Sequence, residues 1–288
     1  MKTVLLPTDF SANAKNACRY VIDMYRNEKI HFILLHAYKV FNYYENSHLV
    51  AKPGEAAITD AREEALKKIE NARQELESNK GKAHSFDCKL HNLPLPDAVK
   101  KELRKRRTDV VVIGSQGHTE DKEVMYGSNS LNIIEQIENC PVLSVPAHVD
   151  FIVPNEIVLA NSFKVGLTPQ NLDYLISLVH KFKAALRILH ISEEGGLNKT
   201  QHQNRKQLKN YLSDVKYSFH FLEYLSVPLG IYSFTESRGS GMIAFVNKKH
   251  SFLENLLLNP VYKNLAHFSK VPVLVLHQPE KESSISSW

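Results

Sequence analysis

Glycine and hydroxyl residues stand close together in the segment GSQGHTEDKEVMYGSNS, residues 114–130. Gly114 and Gly117 directly follow an apolar run, whereas Gly127 and Ser128 precede apolar residues at helical spacing. Glycine permits positive φ and lets a ligand approach the backbone closely. A helix N-terminus directs N–H groups and the positive end of its dipole toward an anion. The order of strand, glycine loop and helix therefore predicts a phosphate-binding site.

The histidines and cysteines give no comparable signal. None of the fourteen histidines stands at HxH or HExxH spacing, so no metal site is predicted. His36 and His190 each close an apolar run, which favours a shared packing or hydrogen-bonding role. Cys18 and Cys140 fall on predicted apolar faces without a flanking base and are expected to be inert. Three isolated cysteines without a CxxC pair fit a reduced cytoplasm.

Short apolar runs alternate with longer amphipathic stretches along the chain. Continuous apolar runs are typical of strands buried on both faces of a parallel sheet. Ser11 is placed to cap a helix whose apolar face begins at Ala14. Asp60 and Glu63 form a capping-box-like start for a second helix. The alternation predicts doubly wound α/β domains with about five strands each.

The same series of apolar runs occurs twice. TVLLPTDFS at residues 3–11 matches EIVLANSFK at 156–164, and the match resumes at the later runs DVVVIG against GMIAFVN and CPVLSVP against VPVLVLH. We therefore predict two related domains at residues 1–149 and 153–278, with a polar tail at 279–288. The two fifth strands, VLSV and VLVL, are the natural surfaces for pairing between halves or between chains.

Charge and hydropathy exclude several classes of partner. The chain carries 36 basic and 31 acidic residues without the long one-signed run typical of a nucleic-acid-binding arm. The basic run KKELRKRR at 100–107 lacks interleaved aromatic residues, so a solvated helix face is expected and nucleic acid is an unlikely partner. No apolar stretch approaches the roughly 20 residues that span a bilayer. Asp9 interrupts the apolar N-terminus before a secretion signal forms.

The spacing Gly114-x2-Gly117-x9-Gly127-Ser128 resembles the ATP-binding signature of the universal stress protein family. PTDFS at residues 7–11 is similar to the end of that family's first strand. The resemblance covers nearly the whole chain and is stronger in the first half. It implies two tandem Rossmann-like domains and an adenine nucleotide, ATP with or without Mg²⁺, as ligand.

The resemblance also implies the residues that hold this nucleotide. Asp9, with Pro7 and Thr8, would lie beside the adenine and ribose, and the backbone of Ala37 would face the adenine. The ribose and phosphates would be wrapped by Gly114, Ser115, Gln116, Gly117 and His118. The phosphate tail would be held by Gly127, Ser128, Asn129 and Ser130. Open α/β sheets bind ligands where the strand order reverses, which predicts that strands one and four flank the site.

Two features depart from the family's pattern. Glu120, Asp121 and Glu123 stand near the expected triphosphate and would repel it unless Mg²⁺ or Lys122 intervenes. The loop at 39–58, with Tyr43, Tyr44 and Pro53, is either a lid over the site or a surface excursion. The glycine turn itself is either a nucleotide site or a plain connection between strand and helix.

The second half lacks the glycine signature. Asn247, His250 and Pro260 are taken as the counterparts of the three glycines, and Ser162 replaces Asp9. A structural role is predicted for residues 153–278, as a partner that mimics a dimer; a different ligand near Asn247 and His250 is the alternative.

The resemblance implies a stress-response protein that binds adenine nucleotide and is not a metabolic enzyme. The alternatives are a nucleotide-free interaction module and a slow ATP hydrolase, for which His118 and Glu120 are the nearest candidate bases. An adenylyl-transferring enzyme is disfavoured because no HIGH or SGGxDS-like motif is present. The two halves are expected to form a pseudo-dimer, and further homodimerisation stays open.

Overall fold

The computed structural model of the chain describes residues 1–38, 55–78, 84–115, 128–247 and 271–277. The first half contains β1 (Lys2–Pro7), α1 (Ala12–Met24), β2 (Ile30–Ala37), α2 (Glu55–Ser78), β3 (Ser85–His91), α3 (Leu95–Lys105), β4 (Val110–Gly114), α4 (Ser128–Gln136) and β5 (Val142–Val145). The second half contains β6 (Glu156–Ala160), α5 (Pro169–Phe182), β7 (Ala185–Ser192), α6 (Lys199–Tyr211), β8 (Tyr217–Glu223), α7 (Val227–Arg238), β9 (Met242–Asn247) and β10 (Val273–His277).

These ten strands form one sheet in the order β3-β2-β1-β4-β5-β10-β9-β6-β7-β8. Neighbouring strands within each half are parallel, and both halves have the same strand order. The α/β class with two mainly parallel five-stranded units is confirmed. Because the order reverses between β1 and β4, these strands flank the point where a ligand is expected.

The central strands are buried on both faces, as continuous apolar runs predict. Val4 and Leu6 pack into the core formed with α1, α2, α5 and α6, whereas Leu5 packs into the core formed with α3, α4 and α7. The alternation follows from the two-residue period of a strand. The helices therefore cover both faces of the sheet, and the strand ends are left as the place for a site.

The fifth strands join the two halves. β5 and β10 pair antiparallel, with Leu143 opposite Leu274, so the pairing expected of VLSV and VLVL occurs within the chain. Within each half, an asparagine of the first helix binds the end of the fifth strand: the amides of Asn16 and Asn171 donate to the carbonyl oxygens of Pro146 and His277, at 3.1 and 3.0 Å. Both halves thus fasten their first helix to the end of their fifth strand.

The start of α2 differs from the prediction. Asp60 lies inside the helix, which already includes Glu55, so the proposed cap at Asp60 is wrong. The intervening sequence EAAIT contains strong helix formers, which extend the helix toward the N-terminus. Residues 55–58 therefore belong to α2, while Tyr43, Tyr44 and Pro53 lie outside the described residues.

The basic run at 100–107 falls on and just after α3, where Lys101, Arg104 and Lys105 are exposed, as expected of a solvated face. In the portion of the chain that the structure describes, no helix is long and apolar enough to cross a membrane.

Candidate functional site

The turn after β1 is built from its own polar side chains. The Ser11 hydroxyl accepts from the Ala14 N–H at 3.2 Å, which confirms Ser11 as the cap of α1. The Asp9 carboxylate accepts from the Ser11 N–H, and the Thr8 hydroxyl accepts from the Phe10 N–H, both at 3.0 Å. Phe10 adopts φ 65°, which turns the chain sharply into the helix. Asp9 is thereby fixed, half-exposed, at the end of the strand.

His36 supports this turn from the neighbouring strand. Its Nδ1 lies 2.8 Å from the carbonyl oxygen of Thr8, and its ring lies against Phe10 with centroids 4.4 Å apart. Burial lowers the pKa of His36, against the opposing effects of the Thr8 carbonyl and Asp9. The neutral ring therefore donates from Nδ1. This arrangement places Ala37, the next residue, beside the turn at the end of β2.

Gly114 ends β4 under the first turn of α1. A Cβ on Gly114 would lie 2.9 Å from the carbonyl carbon and oxygen of Asn13, too close for any side chain. Gly114 is not among the described residues with positive φ. Gly114 therefore does not use the positive φ that glycine permits. Close packing of the helix on the strand requires glycine here.

Ser115 and Ser130 connect the end of β4 to β5 and to α4. The Ser115 N–H donates to the carbonyl oxygen of Val145 at 2.9 Å, and the Ser130 hydroxyl donates to the carbonyl oxygen of Gly114 at 2.8 Å. Both serines are buried, whereas Ser128 and Asn129 are exposed in the first turn of α4. That turn contains no acidic residue. Such a turn attracts an anion through its N–H groups and the positive end of the helix dipole.

The structure thus brings the described members of the predicted site to one edge of the sheet. The ends of β1, β2 and β4 supply Pro7, Thr8, Asp9, Ala37, Gly114 and Ser115, and α4 supplies Ser128, Asn129 and Ser130. Gln116, Gly117, His118 and Gly127 lie outside the described residues, as do residues 120–123. Across the described ranges, no group of three or more His, Cys, Asp or Glu side chains is arranged to hold a metal ion.

The second half repeats the turn with different chemistry. Phe163 adopts φ 54°, and His190 Nδ1 lies 3.0 Å from the carbonyl oxygen of Asn161. The shared hydrogen-bonding role predicted for His36 and His190 is confirmed. Here, however, side chains of α6 bind the turn: Gln201 and Asn204 donate to the carbonyls of Ser162 and Phe163, each at 2.8 Å.

The counterpart of Gly114 is Val246, so the assignment of Asn247 is wrong by one residue. Leu5 and Val158 are equivalent in the repeat. In the sheet, Leu5 lies opposite Val111 of β4, and Val158 lies opposite Ile243 of β9. The residues three positions after Val111 and Ile243 are Gly114 and Val246. A side chain is tolerated there because α5 is capped by Thr168, five residues after Phe163, whereas Ser11 caps α1 directly after Phe10. Asn247 donates to the Ile134 carbonyl at 3.2 Å and joins the halves. His250 and Pro260 lie outside the described residues.

A charged cluster around Glu156, at the start of β6, was missed by sequence reasoning. Arg187 and Arg238 both bind the buried Glu156 carboxylate, at 2.6 and 2.7 Å. Ser240 donates to the same carboxylate at 2.9 Å. The signal was present in the repeat: ALRIL in the second half has an arginine where FILL in the first half has none.

Cys18 and Cys140 are buried thiols. Burial raises the pKa of Cys18 and of Cys140 to about 12, so neither supplies a thiolate near neutral pH. Both are free. This agrees with the inert role predicted for them.

Comparison with known proteins identifies the family. The model described as "Universal stress protein family" matches residues 1–146. The chain belongs to the universal stress protein family. Universal stress protein MJ0577 of Methanocaldococcus jannaschii is 30% identical over 156 residues, which cover 50% of this chain and 94% of that protein.

Solved structures of the family show how the whole chain is arranged. A universal stress protein from Archaeoglobus fulgidus shares 19% identity, with a TM-score of 0.67 and 96% of each chain covered. A second one, described as a putative universal stress protein from Pseudomonas aeruginosa, shares 11% identity with a TM-score of 0.53, covering 96% of this chain and 93% of that one. At these identities the likeness establishes the fold: a tandem universal stress protein.

Proposed function

We propose that the chain is a stress-response protein whose first half binds ATP or a related adenine nucleotide. The observation that carries the proposal is the convergence of Asp9, Ala37 and Gly114 on the β1–β4 switch point, next to the N-terminus of α4. Family membership supports it, because the nucleotide signature lies within the matched residues 1–146.

The described residues fit such a ligand. The Asp9 carboxylate is held by the Ser11 N–H and is half-exposed. It is therefore oriented to accept a hydrogen bond from a ribose hydroxyl. The backbone of Ala37 would face the adenine. Ser128 and Asn129, exposed in an acid-free helical turn, would hold phosphate oxygens through backbone N–H groups. Gln116, Gly117, His118 and Gly127 would complete the loop around the ribose and phosphates, with Ser115 and Ser130 anchoring its two ends.

Mg²⁺ would supply positive charge between the triphosphate and the acidic loop. Glu120, Asp121 and Glu123 follow Gly117 closely in the sequence, and oxygen ligands of this kind suit Mg²⁺ together with phosphate. Lys122 offers a second source of compensation. Binding of ATP is accordingly expected to strengthen when Mg²⁺ is added.

The second half would serve as a structural partner. Gln201 and Asn204 bind the turn after β6, which corresponds to the turn after β1 that contains Asp9. In that turn Ser162 provides no carboxylate. Val246 adds a side chain where the first half has glycine. Asn247 is used to hold α4. We place the domain limits at 1–149 and 153–278, with 279–288 as a tail, and a reduced cytoplasm as the setting.

Thermal unfolding in the presence of ATP, ADP, AMP and GTP, with and without Mg²⁺, tests the proposal. A ligand at 100 times its dissociation constant adds about 2.7 kcal/mol of stability. Stabilisation by adenine nucleotides supports the site, and the absence of a shift with every nucleotide contradicts it. Analysis of the nucleotide after incubation separates a binding protein from a slow hydrolase.

A further inference from the structure

The Glu156 cluster, formed by Glu156, Arg187, Ser218, His220, Arg238 and Ser240, carries excess positive charge. Two guanidinium groups share one carboxylate: Arg238 through Nε and Nη2, and Arg187 through Nε. The pairing leaves a net charge of one positive unit before His220 is counted. Hydrogen bonding to both arginines keeps the pKa of Glu156 at about 2 despite its burial, so the carboxylate stays ionised.

The fold does not require this charge. In the sheet, Arg187 of β7 lies opposite Val158 of β6. At the equivalent place in the first half, Ile33 of β2 lies opposite Leu5 of β1. Ile33 is fully buried in the apolar core. Thr3 likewise occupies the place of Glu156. Because a buried ion pair is seldom more stabilising than apolar residues of similar volume, the second half carries charges here that the same architecture does without.

Ser218 and His220 extend the cluster along β8. Arg187 donates from Nη1 to the Ser218 hydroxyl at 2.7 Å, and that hydroxyl lies 2.8 Å from His220 Nε2. Ser218 thus links the Arg187 guanidinium to the His220 imidazole, and the direction of its bond to Nε2 follows the imidazole tautomer. Burial lowers the pKa of His220, and the two arginines lower it further, against the opposing effect of Glu156.

Several donors remain for a ligand. The bonds to Glu156 and Ser218 use Nε and one Nη of each arginine, which leaves Nη2 of Arg187 and Nη1 of Arg238 without partners among the described residues. Solvent reaches both side chains, whose exposed fractions are 21% and 34%. Arginine forks recognise phosphate-like oxyanions through paired hydrogen bonds.

We propose that Arg187, Arg238, Ser218 and His220 form a binding site for a phosphate-class oxyanion, separate from the proposed nucleotide site. The tetrahedral anion would take the unused guanidinium N–H groups and balance the surplus charge that Glu156 leaves. The proposal does not depend on nucleotide binding in the first half.

Titration of the full chain with inorganic phosphate, against sodium chloride at equal ionic strength, tests the site. Thermal stabilisation by phosphate beyond that by chloride is expected. In Arg238→Gln, the affinity should fall at least tenfold, because a charge-assisted donor is lost. The double variant Glu156→Thr/Arg187→Ile, which introduces the first-half residues at both positions, should fold and lose the response.

The pH dependence provides a second, independent readout. The groups facing His220 are Arg238 of α7, Arg187 of β7, Glu156 of β6 and Ser218 of its own strand. Sulfate keeps its charge near neutral and mildly acidic pH, so it isolates the titration of the protein. By linkage, sulfate should raise the pKa of His220 and bind more tightly as pH falls. The imidazole NMR signal, assigned with His220→Gln, reports this.

Three results would overturn the proposal. One is stabilisation by phosphate no greater than by chloride. Another is a phosphate response that persists in Arg238→Gln and in the double variant, which would place the anion elsewhere, including the N-terminus of α4. The third is a pKa of His220 that does not change with sulfate.

Discussion

The hydroxyl oxygens of Tyr25 and Tyr174 lie 2.9 Å apart, and both side chains are buried where α1 of the first half meets α5 of the second. Burial raises the pKa of both phenols, so each remains protonated and the pair shares one hydrogen bond. Removing either hydroxyl leaves the other without this partner.

A double-mutant cycle on this pair measures the coupling between the halves. Tyr25→Phe and Tyr174→Phe should each lower the free energy of unfolding by about 1–3 kcal/mol, because a buried hydroxyl loses its partner. The double variant should cost clearly less than the sum. Urea unfolding provides the values. Strictly additive losses would show that the hydroxyls do not interact.

Gly114→Ala should destabilise the first half by about 1–3 kcal/mol, since the new Cβ meets the Asn13 carbonyl group and the helix must shift. Val246→Ala is the matched control at the corresponding place in the second half. It should cost less than about 1 kcal/mol, because that side chain is only half-buried. Equal losses in urea unfolding would contradict the proposed difference in helix packing.

Glu156→Gln should remove a pH-dependent part of the stability. The pKa of Glu156 is about 2 in the fold against an ordinary 4.5. The carboxylate therefore stabilises the fold above about pH 4.5, and this contribution is lost as pH falls toward about 2. Because the arginines are partly exposed, we expect about 1–3 kcal/mol near neutral pH. A variant with the wild-type slope across that window would contradict the role of the ion pairs.

His277 should act in a different pH window. Burial lowers its pKa from 6.5 to about 4, so the folded chain resists a proton that the unfolded chain accepts. Stability should fall as pH drops from about 6.5 to about 4. In His277→Gln, the stability measured by urea unfolding should fall less steeply in this window, while the loss that Glu156 causes at lower pH is kept. An unchanged slope between these pH values would assign the effect elsewhere.

Features that depend on neighbouring residues could be predicted from the sequence. Ser11 caps α1 because cap and first turn are adjacent in the chain, and His36 and His190 share a role because each closes a buried run. The repeat supplied the fold, since both halves use the same strand order. The fifth strands were predicted as pairing surfaces, between halves or between chains, whereas their antiparallel pairing within the chain came from the structure.

Features that depend on distant residues were missed. Gly114 is required by Asn13, 101 positions earlier in the chain, and no local pattern indicates that contact. The four extra residues before Thr168 move the start of α5, which decides whether position 246 can carry a side chain. Glu156, Arg187 and Arg238 come from three separate elements. From the sequence alone, these charged residues stand out only when the two halves are compared residue by residue.

Calorimetric titration of the full chain with ATP in the presence of Mg²⁺ tests the central claim most directly, because it counts sites. One ATP per chain is expected, with binding abolished by Gly117→Val and retained in the second-half control variant His250→Val. Binding of two ATP molecules per chain, equal loss in both variants, or no heat of binding at all would contradict a nucleotide site confined to the first half.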